Sequence, residues 1–316
     1  DPRRGGPMRR WGMVGAVGFL MMLPRAPGWG LRWTGRRLLG GGLTTPRQTL
    51  SPMRCLPPNQ AHWSTASVGE ERFAPFSTVF SLPFHGGLCL GVQLPDALAD
   101  TALPPELHEE EVAFASDLSQ IRAAEFLGGR VAIRRAMGAK LAETVGPIHR
   151  SSRGAPVLSN GIRGSISHKR HVAVALVQTG PCSPVGGRIG VDIEDLHPTR
   201  YKGRLAQRVL LEEEVDKLGS LESTGLTKDQ EVLLAFSFKE AVYKAIDPFL
   251  ERFVSFQEVV ASFSPDGSCS ARMVAPEFPS STTESEPSLH ITGSWVQVGR
   301  YAVTAATASI VEGDGG

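Results

Sequence analysis

The sequence predicts an α+β fold built as two similar halves, 70–180 and 181–310, each setting one long helix beside several short strands. Three observations carry that prediction. Short apolar runs bounded by Gly, Pro and Ser recur through both halves. One long stretch in each half repeats its apolar residues near the 3.6-residue helical period. The chain has 316 residues, 41% hydrophobic and 21% charged, enough to bury a core and too apolar for a mostly disordered chain. No sequence repeat joins the halves, so the duplication rests on the order of elements alone.

In the first half, Val79–Leu82 and Leu88–Leu94 read as a hairpin around His85-Gly86-Gly87. Pro- and acid-rich chain follows over 95–111, without predicted structure. Ile121, Ala124, Leu127, Val131 and Leu141 then place a helix from Ser116 to Glu143. Gly128-Gly129 would weaken that helix unless a neighbour comes close there. A Gly/Pro/Ser/Arg loop over 144–163 leads to strands Ser165–Ser167 and Val172–Val177.

The second half opens with a turn at Gly186-Gly187 and a strand at Ile189–Ile193. Arg204–Leu218 reads as a helix and Ser220–Leu226 as a loop. Lys228–Ile246 is the second long helix, with Val232, Leu233, Phe236, Ala241 and Val242 apolar and Pro248 marking its end. Strand-like runs lie near 253–260, 269–275, 289–298 and 300–308. Pro276–Ser288 is a Ser/Pro/Glu-rich loop, and 311–316 a tail.

Residues 1–69 are set apart by charge. They carry ten Arg, no Lys and the single acid Asp1, whereas the remainder carries 23 Lys and Arg against 31 Asp and Glu. Arg9 and Arg10 precede an apolar run, Trp11–Leu23, closed by Pro24, the pattern of a secretory signal; the Arg-rich stretch to Gly69 suits a transit peptide. The segment is read as an address to a plastid or mitochondrion, with the cytoplasm as alternative, and is excluded from the fold. No apolar run reaches the roughly 18 residues that span a bilayer, so no stable membrane insertion is expected. Cys55, Cys89, Cys182 and Cys269 form no CxxC pair, which argues against a zinc ribbon or a disulfide scaffold.

Three clusters carry chemistry. In Gly190-Val191-Asp192-Ile193-Glu194, the two carboxylates sit two residues apart and so share one side of a strand. That pair suits a hard cation such as Mg²⁺, although such a pair alone most often marks a solvated strand edge. In Phe236–Ala245, Glu240 and Lys244 lie one helical turn apart; the plain reading is a surface ion pair, the sharper one a third metal carboxylate beside a phosphate-neutralising ammonium. From Phe126 to Arg188 there are ten Lys and Arg against the single acid Glu143. Such an island in an acidic body points to a polyanionic ligand. Few aromatics interleave with it, which argues against a single-strand nucleic-acid surface.

The ordered set RGAPVLSNGIRGSISH, GVDIE and FSFKEAVYKA, preceded by AEFLGGRVAIRRAM, resembles the 4′-phosphopantetheinyl transferases of the enterobactin-synthase and surfactin-synthetase type over about residues 78–308. The resemblance implies a pseudo-twofold pair of α+β halves with coenzyme A between them. It also implies transfer of 4′-phosphopantetheine to a serine of an apo acyl or peptidyl carrier protein, releasing 3′,5′-ADP. Asp192, Glu194 and Glu240 would then hold Mg²⁺, and Lys244 would neutralise the pyrophosphate. Ser167, His168 and Arg130 would contact coenzyme A phosphate, and Glu240 or a metal-bound water would take the serine proton. The chain is expected to act as a monomer, without nucleic acid. Where the family has Pro-x-Trp-Pro-x-Gly, this chain has Pro156-Val157-Leu158-Ser159-Asn160-Gly161, losing the Trp and the second Pro. His171 is read as structural and Lys239 is left without a role. A Mg²⁺-dependent nuclease and a non-catalytic carrier-protein adaptor are the alternatives; the acidic body argues against the first, the intact carboxylates and Lys244 against the second.

Overall fold

A computed structural model describes residues 75–84, 86–98, 101–159, 161–180, 187–197, 204–274 and 288–311. The address read into 1–69, the turn residue Gly186, the loop over 276–287 and the tail beyond Val311 lie outside them.

The first sheet holds β1 (Thr78–Phe84), β2 (Gly87–Gln93), β3 (Ile162–Lys169) and β4 (Val172–Thr179) in the order β1-β2-β4-β3, all antiparallel. The second holds β5 (Arg188–Asp195), β6 (Val259–Phe263), β7 (Ser268–Met273), β8 (Ser288–Val298) and β9 (Tyr301–Val311) in the order β5-β9-β8-β7-β6. The α+β expectation stands, and so does one long helix against each sheet.

Strand alternation assigns the faces. On β4, Ala173, Ala175 and Val177 pack against helix α2 (Gln120–Met137), whereas Val172, Val174 and Leu176 turn to the other sheet. On β9, Val303 and Ala305 face the first sheet and Ala302, Ala306 and Ala308 face helix α6 (Lys228–Leu250). The stack is therefore α2, first sheet, second sheet, α6. A one-residue slip in either strand would exchange its two apolar sets, which pins the register.

Glycine permits both helix contacts. A Cβ on Gly128 would meet Leu94 Cδ2 at 2.1 Å, and one on Gly129 would meet Ile166 Cγ2 at 2.7 Å. The glycine pair thus marks where α2 presses on the first sheet.

Several boundaries differ from the sequence reading. The helix expected over 116–143 is three: α1 (Glu109–Ser116), α2, and α3 (Ala139–Ala142). Glu109, Glu110 and Glu111, read as part of an unstructured acid-rich stretch, form the first turn of α1. His108 accepts from the Glu110 N–H, and Glu111 accepts from the His108 N–H, so the acids serve a cap and oppose the helix dipole. Gly138, at φ 78°, separates α2 from α3, and Ile121 is 67% exposed rather than in the core. The helix expected over 204–218 is two short ones, α4 (Arg204–Val209) and α5 (Glu212–Val215), because Leu211 is extended and its N–H donates to the Glu214 carboxylate. Pro248 does not end α6: it lies in the last turn, where only one ladder bond is lost, and Glu251 in the left-handed region closes the helix. The run at 253–260 is irregular up to a 3₁₀ turn, Phe256–Glu258, tied by Glu258 to the Ser255 N–H, and only its last two residues belong to β6.

Among the described residues no helix is long and apolar enough to cross a membrane.

Candidate active site

The edge strand of each sheet brings the site together. β3 ends the first sheet and β5 the second, and Ser165 Oγ on β3 accepts from the Val191 N–H at 3.1 Å. One alternation further along, Ser167 Oγ donates to Asp192 Oδ1 at 2.7 Å. From the other side, α6 supplies Ser237 Oγ to Asp192 Oδ2 at 2.9 Å and Lys244 Nζ to Asp192 Oδ1 at 2.9 Å. Lys244 Nζ also donates to the Val191 carbonyl at 2.8 Å, and Ser237 is bonded to Thr304 on β9. Asp192 is thus held by both halves of the chain.

Glu194 lies on the same side of β5, as the spacing predicts, and is buried. Lys169 Nζ on β3 stands 2.5 Å from its Oε2. Asp195 turns the other way, into Arg300, Arg170 and the His197 N–H.

Burial and charge set the ionisation of this group. The Glu194 carboxyl is pushed up to about 7, first by burial, then by Asp192, against the opposing pull of Lys169. Glu240 is pushed up to about 7 by burial and then by Asp192, with Lys244 opposing. Three carboxylates that repel one another in a desolvated seam are the oxygen-donor set a hard divalent cation relieves, so the residues fit Mg²⁺. Among the described residues no three acidic, His or Cys side chains already converge on a metal position. Instead the ammonium groups of Lys244 and Lys169 sit on Asp192 and Glu194.

A pH dependence follows. Both glutamates have folded pKa values above the ordinary 4.5, so the fold favours their protonated forms. Their contribution to stability is complete below about pH 4.5 and is lost as pH rises through about 7. In EDTA, Glu240→Gln is expected to melt closer to wild type at pH 6 than at pH 8.5, where it should be the more stable. The gain in wild-type Tm on adding Mg²⁺ should be larger at pH 8.5. Calorimetry at the two pH values checks both statements, and equal shifts would remove the carboxylate assignment.

Two family models match the chain. The model of the 4′-phosphopantetheinyl transferase N-terminal domain covers residues 109–178, and that of the 4′-phosphopantetheinyl transferase superfamily covers 188–306. Enterobactin synthase component D of Salmonella typhi is 32% identical over 127 residues, 39% of this chain and 48% of that protein. The 4′-phosphopantetheinyl transferase Svp of Streptomyces mobaraensis is 32% identical over 171 residues, 54% of this chain and 67% of the relative. The chain belongs to the 4′-phosphopantetheinyl transferase superfamily. It spans about half the length of the first relative and two thirds of the second.

The other residues singled out in this superfamily member fall into distinct places. His168, on β3 beside Ser167, has Nδ1 3.3 Å from Glu125 Oε1 on α2, and Glu125 also accepts from Arg122. Arg130 is buried one layer away: its Nε and Nη2 donate to the Ile148 carbonyl, and its guanidinium lies 3.7 Å over the Phe126 ring. In that pose two of its three nitrogens face the loop after α3 rather than Asp192. Arg134, its neighbour one turn on, is paired with buried Glu111. The basic island therefore divides, with Lys169 in the seam and Arg134 in the first-half core.

His171 lies at the surface, with its Nδ1 3.2 Å from Asp96 Oδ1. Lys239, left without a role, is wholly buried, and its Nζ donates to Glu214 and to the Val209 and Phe256 carbonyls. It anchors α6 to α4, to α5 and to the 3₁₀ turn before β6. Sequence reasoning missed Ser237, although it lies three and seven residues before Glu240 and Lys244 and thus on their helix face. It placed Lys169 only within the basic island and gave no part to Glu125; the partners of both come from other elements.

Proposed function

We propose that the chain transfers 4′-phosphopantetheine from coenzyme A to a serine hydroxyl of an apo acyl or peptidyl carrier protein, releasing 3′,5′-ADP. The observation that carries this reading is the seam at Asp192, where β3, β5 and α6 bring two further carboxylates and two lysines together. Attack at a phosphorus surrounded by negative charge needs neutralisation and positioning more than a covalent intermediate.

Asp192, Glu194 and Glu240 would hold Mg²⁺, which when bound supplies positive charge to the pyrophosphate oxygens. Lys244, anchored on the Val191 carbonyl, presents its ammonium to the same oxygens and supports departure of the nucleotide. Glu240, or a water on the bound cation, would accept the serine proton. On β3, Ser167 faces Asp192 in the seam, whereas His168 points to the other side of the strand, towards Glu125 on α2; each would contact coenzyme A phosphate from its own side. Arg130 would join them by giving up the Ile148 carbonyl.

Incubation with coenzyme A, Mg²⁺ and an apo carrier protein tests the reading. The expected result is a carrier mass gain of one phosphopantetheine. Cleavage of a DNA or RNA substrate without that gain would favour a nuclease, and carrier binding with neither reaction an adaptor. A charge-assisted hydrogen bond to phosphate is worth about 1.5–3 kcal/mol. Dephospho-coenzyme A should therefore show a kcat/KM roughly 10–100-fold below that of coenzyme A. His168→Ala or Arg130→Ala should narrow the ratio. Equal use of the two donors by wild type would remove both residues from the cofactor site.

A further inference from the structure

We propose that Lys169 competes with the divalent cation for Glu194, so that the metal gains its full ligand set only when the pyrophosphate is present to take the displaced ammonium. The inference rests on the assignment of Asp192, Glu194 and Glu240 as the metal carboxylates.

The two strand carboxylates each carry an ammonium, but the two lysines are held differently. Lys244 is tied to the Val191 carbonyl as well as to Asp192. Lys169 Nζ is 2.5 Å from Glu194 Oε2 and, among the described residues, has no backbone carbonyl to anchor it. Its side chain is 33% exposed whereas that of Glu194 is 10% exposed, so the cation has a way out and the carboxylate does not. Glu194 is further fixed by the pairing of β5 along β9.

A divalent cation on Glu194 and an ammonium in hydrogen-bonding range of the same oxygens repel strongly in a seam shielded from water. Metal binding therefore has to break the Lys169–Glu194 pair, which weakens the metal in the free protein. A pyrophosphate brought to the seam adds negative charge beside β3, where the released Lys169 can reach it. Metal and nucleotide then favour one another reciprocally, because each removes a cost the other would meet. Lys169 thus acts as a positioning and coupling residue: it keeps the carboxylates compensated while the site is open and makes cation capture conditional on the donor.

Mn²⁺ binding to the full chain, followed by electron paramagnetic resonance at pH 8, tests this without reference to turnover. Wild type, Lys169→Met, Lys169→Arg and Asp192→Asn are titrated with and without coenzyme A, after correction for Mn²⁺ bound by coenzyme A alone. Lys169→Met alone should bind Mn²⁺ about tenfold more tightly than wild type alone. Coenzyme A should tighten Mn²⁺ in wild type and much less in Lys169→Met, and Lys169→Arg should behave as wild type. Thermal melts of each variant confirm folding. If Asp192→Asn loses Mn²⁺ but Lys169→Met matches wild type or binds less, the competition is overturned and the metal carboxylates stand. If Asp192→Asn binds Mn²⁺ as wild type does, the metal assignment itself fails and takes the role of Lys169 with it.

Discussion

Asp192→Asn is expected to lower phosphopantetheinyl transfer by roughly 10³-fold while moving the melting temperature by only about 4 °C. Asparagine keeps the shape of the side chain and an oxygen that accepts from Ser167 or Lys244. It removes the charge that a cation at the seam would meet first, and it places an NH₂ against one of the donors that now face a carboxylate. Loss of one centre of charge stabilisation at a phosphoryl transition state is worth several kcal/mol, which sets the size of the effect. The fold has a compensation that the reaction lacks. Asp192 raises the pKa of both Glu194 and Glu240, so its neutralisation should let both titrate lower. Carboxyl titration by NMR in wild type and variant would show that shift, and the carrier mass assay would show the loss of transfer. An Asp192→Asn protein with wild-type kcat/KM would remove Asp192 from the metal site. Glu240→Ala should be as damaging as Asp192→Asn, and Glu194→Ala less so, because water can replace one oxygen ligand around Mg²⁺.

Gly190→Ala is expected to cost roughly 3 kcal/mol of stability, together with most of the activity. A Cβ at residue 190 would stand 1.9 Å from the Ala241 carbonyl oxygen, 2.9 Å from its carbon and 3.0 Å from the Ala245 nitrogen. All three are backbone atoms of α6, so no side-chain rotation relieves the clash and the helix must retreat from β5. That retreat opens the core around Phe238, Ala241, Val242 and Ala245, all buried against the second sheet. It also draws Ser237 and Lys244 away from Asp192, to which both donate. Urea unfolding should show a lower midpoint with an unchanged m value. A variant as stable as wild type would mean that the helix and strand are less closely packed than the geometry requires.

The elements that were legible in the sequence are those whose signal is local. The hairpin at 79–94, the α2 core at Ala124, Leu127 and Val131, and the long helix from Lys228 follow from period and turn residues. The side shared by Asp192 and Glu194 follows from strand alternation. Errors arose where one residue type has two meanings. The acids at 109–111 lie in the Pro- and acid-rich stretch for which the sequence predicts no element, yet they form the first turn of α1 and Glu111 closes its cap. Pro248 was read as a stop, yet the last turn of a helix tolerates the loss of one N–H.

Other parts of the site depend on contacts between segments far apart in the chain. Ser167 meets Asp192 across 25 residues, Lys239 meets Glu214 across 25, and Ser237 meets Thr304 across 67. By itself the sequence determined the α+β class, the two long helices, the order of the three chemical clusters and the shared face of the strand carboxylates, because each is set by local spacing. The tertiary structure alone decided that Lys169 sits on Glu194, that Arg134 is spent on Glu111 within the core, and that Lys239 anchors a helix rather than facing a ligand. Charge at a position is written in the sequence, but whether that charge meets solvent, a substrate or a buried partner depends on which edges and faces the fold brings together.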